Sequence, residues 1–108
     1  MILNKIASYR SEILDFTKAL VAVPTENPPG RSYQACAKLI EGKLREMRLD
    51  CTFLEVPDDV RQVMKTAKKG SEHYPRYCLL SFYGNGKRAL HFHGHYDVVP
   101  ASSEEQFH

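Results

Sequence analysis

The sequence predicts an α/β fold in which two helices precede a small mixed sheet with a hairpin, the sheet being incomplete. Three observations lead there. Two early segments carry apolar residues at helical spacing, later runs are rich in β-branched and aromatic residues, and Gly84-Asn85-Gly86 separates two of those runs as a hairpin turn would.

From about Lys5 to Val21, the residues Ile6, Tyr9, Ile13, Phe16 and Leu20 fall on one helical face. Pro24 ends that helix. The stretch Val23-Pro24-Thr25-Glu26-Asn27-Pro28-Pro29-Gly30 is too rich in proline for a helix interior or a central strand. It reads as a stiff loop that fixes the angle between two helices. Ser32 is placed to cap the second helix, whose stripe is Cys36, Leu39, Ile40, Leu44 and Met47, ending near Arg48. Cys51 to Val56 alternates as a strand, with Thr52, Leu54 and Val56 on one face. Asp58-Asp59 opens a short surface helix through Val60, Val63, Met64 and Ala67, stopped by Gly70; Ser71 to Pro75 is loop. Tyr77 to Tyr83 is a second strand, and Arg88 to His93 is the strand returning from the hairpin.

At 108 residues the chain suits one small domain, and 43% hydrophobic with 26% charged residues sets it apart from disordered chains. The net charge of +2 is scattered. Its densest cluster, Lys65, Lys68 and Lys69, reads as a solvated helix end favoured by the helix dipole, and no nucleic-acid partner is expected. Cys36, Cys51 and Cys78 are odd in number and lack paired spacing, which points to buried thiols in a reducing compartment. No apolar run approaches the ~20 residues of a membrane helix, and Met1-Ile2-Leu3-Asn4-Lys5 is too polar to open a signal peptide. A cytoplasmic protein without a membrane partner is expected.

Chemistry concentrates in His91-Phe92-His93-Gly94-His95-Tyr96-Asp97. If the strand persists, His91, His93, His95 and Asp97 share a face, with ~6–7 Å between alternate residues. Neutral imidazole binds zinc, and its second ring nitrogen needs an acceptor to fix tautomer and rotamer. His95 as ligand and Asp97 as its orienting carboxylate meet both needs. Gly94 leaves room for close approach. His91 and His93 read more readily as polar sheet surface. Two rival metal motifs fit less well. The metallo-β-lactamase pattern His-x-His-x-Asp-His requires a histidine where Val98 stands, and that fold opens with strands. The amidohydrolase barrels carry their His-x-His on the first strand, whereas here two helices and two strands precede it.

Val23-Pro24-Thr25-Glu26-Asn27-Pro28-Pro29-Gly30 and Leu90-His91-Phe92-His93-Gly94-His95-Tyr96-Asp97-Val98-Val99-Pro100 together resemble the opening of the zinc-dependent amide hydrolase family of acetylornithine deacetylase, succinyl-diaminopimelate desuccinylase, aminoacylase and carboxypeptidase G. The resemblance spans essentially the whole chain, in order. It implies that residues 1–108 are the N-terminal part of a zinc-exopeptidase-like catalytic domain. The rest of that domain and its lid or dimerisation domain would be absent, and with them any route to a homodimer. It implies hydrolysis of the amide bond of an N-acyl amino acid or short peptide at two zinc ions, with cobalt able to substitute. It also implies His95 as a ligand of one metal and Asp97 as the catalytic carboxylate that positions it. Family members often carry Asn where His93 stands. The other ligands and the glutamate base have no counterpart here, and Glu104-Glu105 come too soon after His95 to be the family's glutamate pair. The expectation is a chain inactive alone. The alternative is a non-catalytic truncated remnant or interaction module.

Overall fold

The computed structural model describes residues 1–57, 59–60 and 74–100. Helix α1 spans Ile2–Ser8, α2 Arg10–Val21 and α3 Tyr33–Glu46; strand β1 spans Asp50–Glu55 and β2 Tyr77–Phe82. The elements named among the described residues are these three helices and one two-stranded antiparallel sheet, a mixed α/β arrangement.

The first expected helix begins earlier and is broken at Tyr9. The Ser8 hydroxyl donates to the Lys5 carbonyl at 2.6 Å. That carbonyl is the regular α-helical acceptor for the Tyr9 N–H, which donates to Ile6 O instead. The helix resumes when Ile13 N–H donates to Tyr9 O at 2.9 Å. At the far end Ala22 N–H still reaches Lys18 O, Val23 N–H tightens onto Leu20 O, and Pro24 has no N–H to continue.

Ser32 does stand at the N-cap of α3, but its side chain makes no capping bond and its φ is 59°. This corrects the expected cap. A capping serine takes an extended backbone that aims its hydroxyl at the first turn, and the left-handed conformation does not. The C-terminus closes in a Schellman pattern: Arg48 (φ 60°) donates to Arg45 O, and Leu49 N–H reaches Leu44 O at 3.0 Å. Arg48 thus occupies the position glycine usually fills. The face that α3 buries is Tyr33, Cys36, Ala37 and Glu41, with Leu39, Ile40 and Leu44 half-buried. Glu41 tolerates burial because Lys38 (2.8 Å) and Arg45 (2.9 Å) both pair with it.

β1 and β2 pair with Phe53 opposite Leu79 and Thr52 opposite Leu80. The half-buried face carries Cys51, Phe53, Tyr77, Leu79 and Ser81. Phe53 meets Tyr77 at 4.9 Å and lies under the Lys38 ammonium at 4.5 Å, which ties this face to α3. Thr52 and Leu54 do share a face, as their alternation predicts, but it is the open one, together with Leu80 and Phe82.

The expected hairpin and mixed sheet are not formed. A type I′ turn, the form that Asn-Gly favours, needs positive φ at both central residues. Gly84 has φ 79°, but neither Asn85 nor Gly86 is in that region. Residues 88–93 make no strand, and Leu90 and Phe92 stay about as exposed as in an open chain, at 80% and 84%. The expected surface helix from Asp58 to Gly70, the lysine cluster within it, most of the 71–75 loop, and Glu104-Glu105 lie essentially outside the described residues. Among the described residues, no helix is long and apolar enough to cross a membrane.

Candidate functional site

The two segments that the sequence sets apart, though some seventy positions apart, lie side by side. Glu26 and Val98 form a parallel bridge. Asn27 N–H donates to Val98 O at 2.8 Å, and Val98 N–H donates to Thr25 O at 3.1 Å. Thr25, only 2% exposed, adds a hydroxyl donated to Tyr96 O at 2.8 Å. The proline-rich loop therefore supplies the pairing partner that the His–Asp segment lacks elsewhere. Pro28 and Pro29 both follow cis peptide bonds. Gly30, at φ 85°, closes the loop by donating its N–H to Glu26 O at 2.7 Å.

This clamp presents Asp97 to His95. His95 Nδ1 lies 3.0 Å from Asp97 Oδ1 and 3.0 Å from Asp97 backbone O. Both neighbours are acceptors, so a neutral ring must carry its proton on Nδ1. Nε2 is then the lone-pair nitrogen available to a metal ion, on a side chain 82% exposed. Asp97 is thus placed where its carboxylate can fix the tautomer of the His95 ring.

Asp97 is itself held on its other oxygen. Asn27 Nδ2 donates to Oδ2 at 3.0 Å, and the Tyr33 hydroxyl donates to it at 3.3 Å. Burial alone would raise the Asp97 carboxyl. Hydrogen bonds from Asn27 and His95 outweigh it and hold the group below its ordinary value. Tyr33 is pushed up to about 12, first by burial and then by the neighbouring Asp97 charge, against the opposing pull of Arg76. Tyr96, whose hydroxyl donates to Tyr77 O at 2.7 Å, is also raised to about 12, chiefly by burial. Its ring stands edge-on to Tyr33 at 5.6 Å.

The strand-face expectation for four residues is corrected to a pair. Because 88–93 has no ladder to keep it straight, His91 and His93 are exposed and pack edge-to-face on each other at 6.3 Å. The sequence reading missed three contributors: Tyr33, Arg76 and the precise duty of Asn27. Arg76 is buried, its guanidinium lies 4.5 Å above the Tyr33 ring, and its Nη2 donates a long bond of 3.4 Å to Asn27 Oδ1. No local spacing announces a residue that joins the site from the start of β2.

One imidazole is one donor, and zinc sites take three or four protein ligands. Among the described residues, no three His, Cys, Asp or Glu side chains gather as a metal cage. His95 with Asp97 fits one ligand and its orienting partner, and no more. No family profile, curated protein or solved structure matches this chain.

Proposed function

We propose that this chain forms the N-terminal part of the catalytic domain of a metal-dependent hydrolase that cleaves the amide bond of N-acyl amino acids or short peptides. His95 would be one zinc ligand through Nε2, and Asp97 the carboxylate that orients it. The observation that carries the reading is the hydrogen bonding of His95 Nδ1 to Asp97, with Asp97 braced in turn by Asn27 and Tyr33. That is the support a metal-bound histidine requires. The backbone pairing of the Pro-Pro-Gly loop with Val98 adds to it, because the resemblance rested on those two segments together.

The remaining ligands and the general base would come from further polypeptide of the same protein. A bound zinc pair would polarise the scissile carbonyl and lower the pKa of a water. This chain's own contribution is to hold one imidazole in a fixed tautomer. The test is zinc-dependent hydrolysis of a panel of N-acyl amino acids by the complete protein that contains these residues. Activity abolished by His95→Ala supports the reading; activity untouched by it refutes the reading. Stoichiometric zinc and hydrolysis in the 108-residue chain alone would also contradict it.

The competing reading is a non-catalytic remnant or interaction module. What favours it is apolar surface: Phe82, Tyr83, Leu90 and Phe92 are all at least 78% exposed. A reading frame that closes directly after His108 would decide for the remnant, and one that continues into carboxylate-bearing ligand segments would decide for the enzyme.

A further inference from the structure

We infer that Arg76 is a positioning residue for His95, acting through Asn27, Tyr33 and Asp97, and that the bare Gly30, already favoured by its φ of 85°, leaves the space beside it to the Arg76 guanidinium. The inference deepens the proposed function and rests on the metal reading of His95 for its consequence.

Arg76 is anchored at both ends. Its carbonyl accepts from Val56 N–H at 2.8 Å, just beyond β1, so the backbone is fixed by the sheet. Its side chain is buried and runs to the loop. There the guanidinium plane does two things: it lies over the Tyr33 ring and turns a donor to Asn27 Oδ1. Each of those two partners donates to the same Asp97 oxygen, Asn27 at 3.0 Å and Tyr33 at 3.3 Å.

The bond to Asn27 also sets its amide. With Oδ1 turned to a cation, Nδ2 must face the carboxylate. A flipped amide would present oxygen to Asp97 and repel it. The stacked guanidinium fixes the Tyr33 ring in the position from which its hydroxyl reaches Asp97. Asp97 Oδ1 is left to accept from His95. One buried cation thus determines the direction of two donors, which hold one carboxylate, which holds one imidazole tautomer.

Gly30 supplies independent geometric support. A Cβ built there would lie 2.6 Å from Arg76 Nη1, 2.7 Å from Cζ and 2.8 Å from Nη2. Three atoms of the guanidinium, the far end of the Arg76 side chain, pack against the bare glycine. A Cβ at residue 30 requires the guanidinium to shift from that position.

The test reads the His95 tautomer in the metal-free 108-residue chain by long-range 1H–15N NMR at mildly alkaline pH. Wild type is expected to hold the proton on Nδ1. Arg76→Met is expected to shift the tautomer ratio toward Nε2–H by about tenfold, the factor a single charge-assisted hydrogen bond supplies. Gly30→Ala, with Arg76 still present, is expected to shift it in the same sense. Amide dispersion reports whether each variant is folded. Where Arg76→Met does not fold, Arg76→Lys, which keeps the charge and loses the fork, is read in its place. An unshifted tautomer in the folded Arg76 variant overturns the inference. Because no metal is present, that failure leaves the ligand reading standing; zinc content indifferent to His95→Ala would fail the ligand reading and leave the tautomer result intact.

Discussion

Thr25→Val tests whether the two separated segments are joined as described. Thr25 is buried, and its hydroxyl donates to the Tyr96 carbonyl at 2.8 Å. Valine has nearly the same shape, so the substitution removes the donor without opening a cavity. Losing the bond costs roughly 1 kcal/mol net, and leaving a sheltered carbonyl short of its donor brings the range to ~1–3 kcal/mol. Burying a methyl in place of the hydroxyl returns up to ~0.8 kcal/mol. The expected net loss is therefore about 1–2 kcal/mol. For a chain of this length each kcal/mol moves Tm by ~4–8 °C, so Tm should fall by about 5–15 °C. Thr25→Ser keeps the hydroxyl and should lose less. Urea unfolding monitored by circular dichroism, with both variants compared with wild type, gives the numbers. Thr25→Val as stable as wild type, or Thr25→Ser the worse of the two, would refute the clamp.

Other expectations follow from the same contacts. Tyr33 and Tyr96 titrate near pH 12 when folded and near 10 when unfolded, so the stability they contribute is full below about pH 10 and lost as pH rises toward 12. Tyrosinate absorbance should show two phenols ionising near pH 12, and their absence would contradict the burial of Tyr33 and Tyr96. Asp97 behaves oppositely: its folded pKa is depressed, so its contribution is present above about pH 4 and disappears as pH falls through the folded value. Asp97→Asn should flatten that acid limb of a stability–pH curve. Among the thiols, burial pushes Cys36 up and shields it, whereas Cys78 is exposed. Native-state labelling with a thiol reagent should modify Cys78 first and Cys36 last, and early reaction at Cys36 would show that α3 does not pack as described.

Much of this was legible in the sequence because it is local. Helical periodicity placed α2 and α3, alternation placed β1, β-rich composition placed β2, and the two-residue spacing of His95 and Asp97 set the imidazole beside the carboxylate. Reading failed where a local signal was ambiguous or the cause was remote. Gly84-Asn85-Gly86 has the composition of a hairpin turn, but residues 88–93 form no returning strand. Thr52 and Leu54 share a face, yet alternation cannot say which face α3 covers. The helix breaks at Tyr9, whose N–H turns to Ile6 O while the Ser8 hydroxyl takes the Lys5 carbonyl, a local change that apolar spacing does not signal. The bracing of Asp97 joins residues 27, 33, 76 and 97, and nothing in their spacing brings them together.

The most direct test is metal affinity in the longer protein that the proposed function calls for, measured for wild type, His95→Ala and Asp97→Ala. The predicted result is that His95→Ala loses one metal site, while Asp97→Ala retains it at ~10–100-fold weaker affinity, as loss of an orienting carboxylate does. Metal content and affinity unchanged by His95→Ala would contradict it.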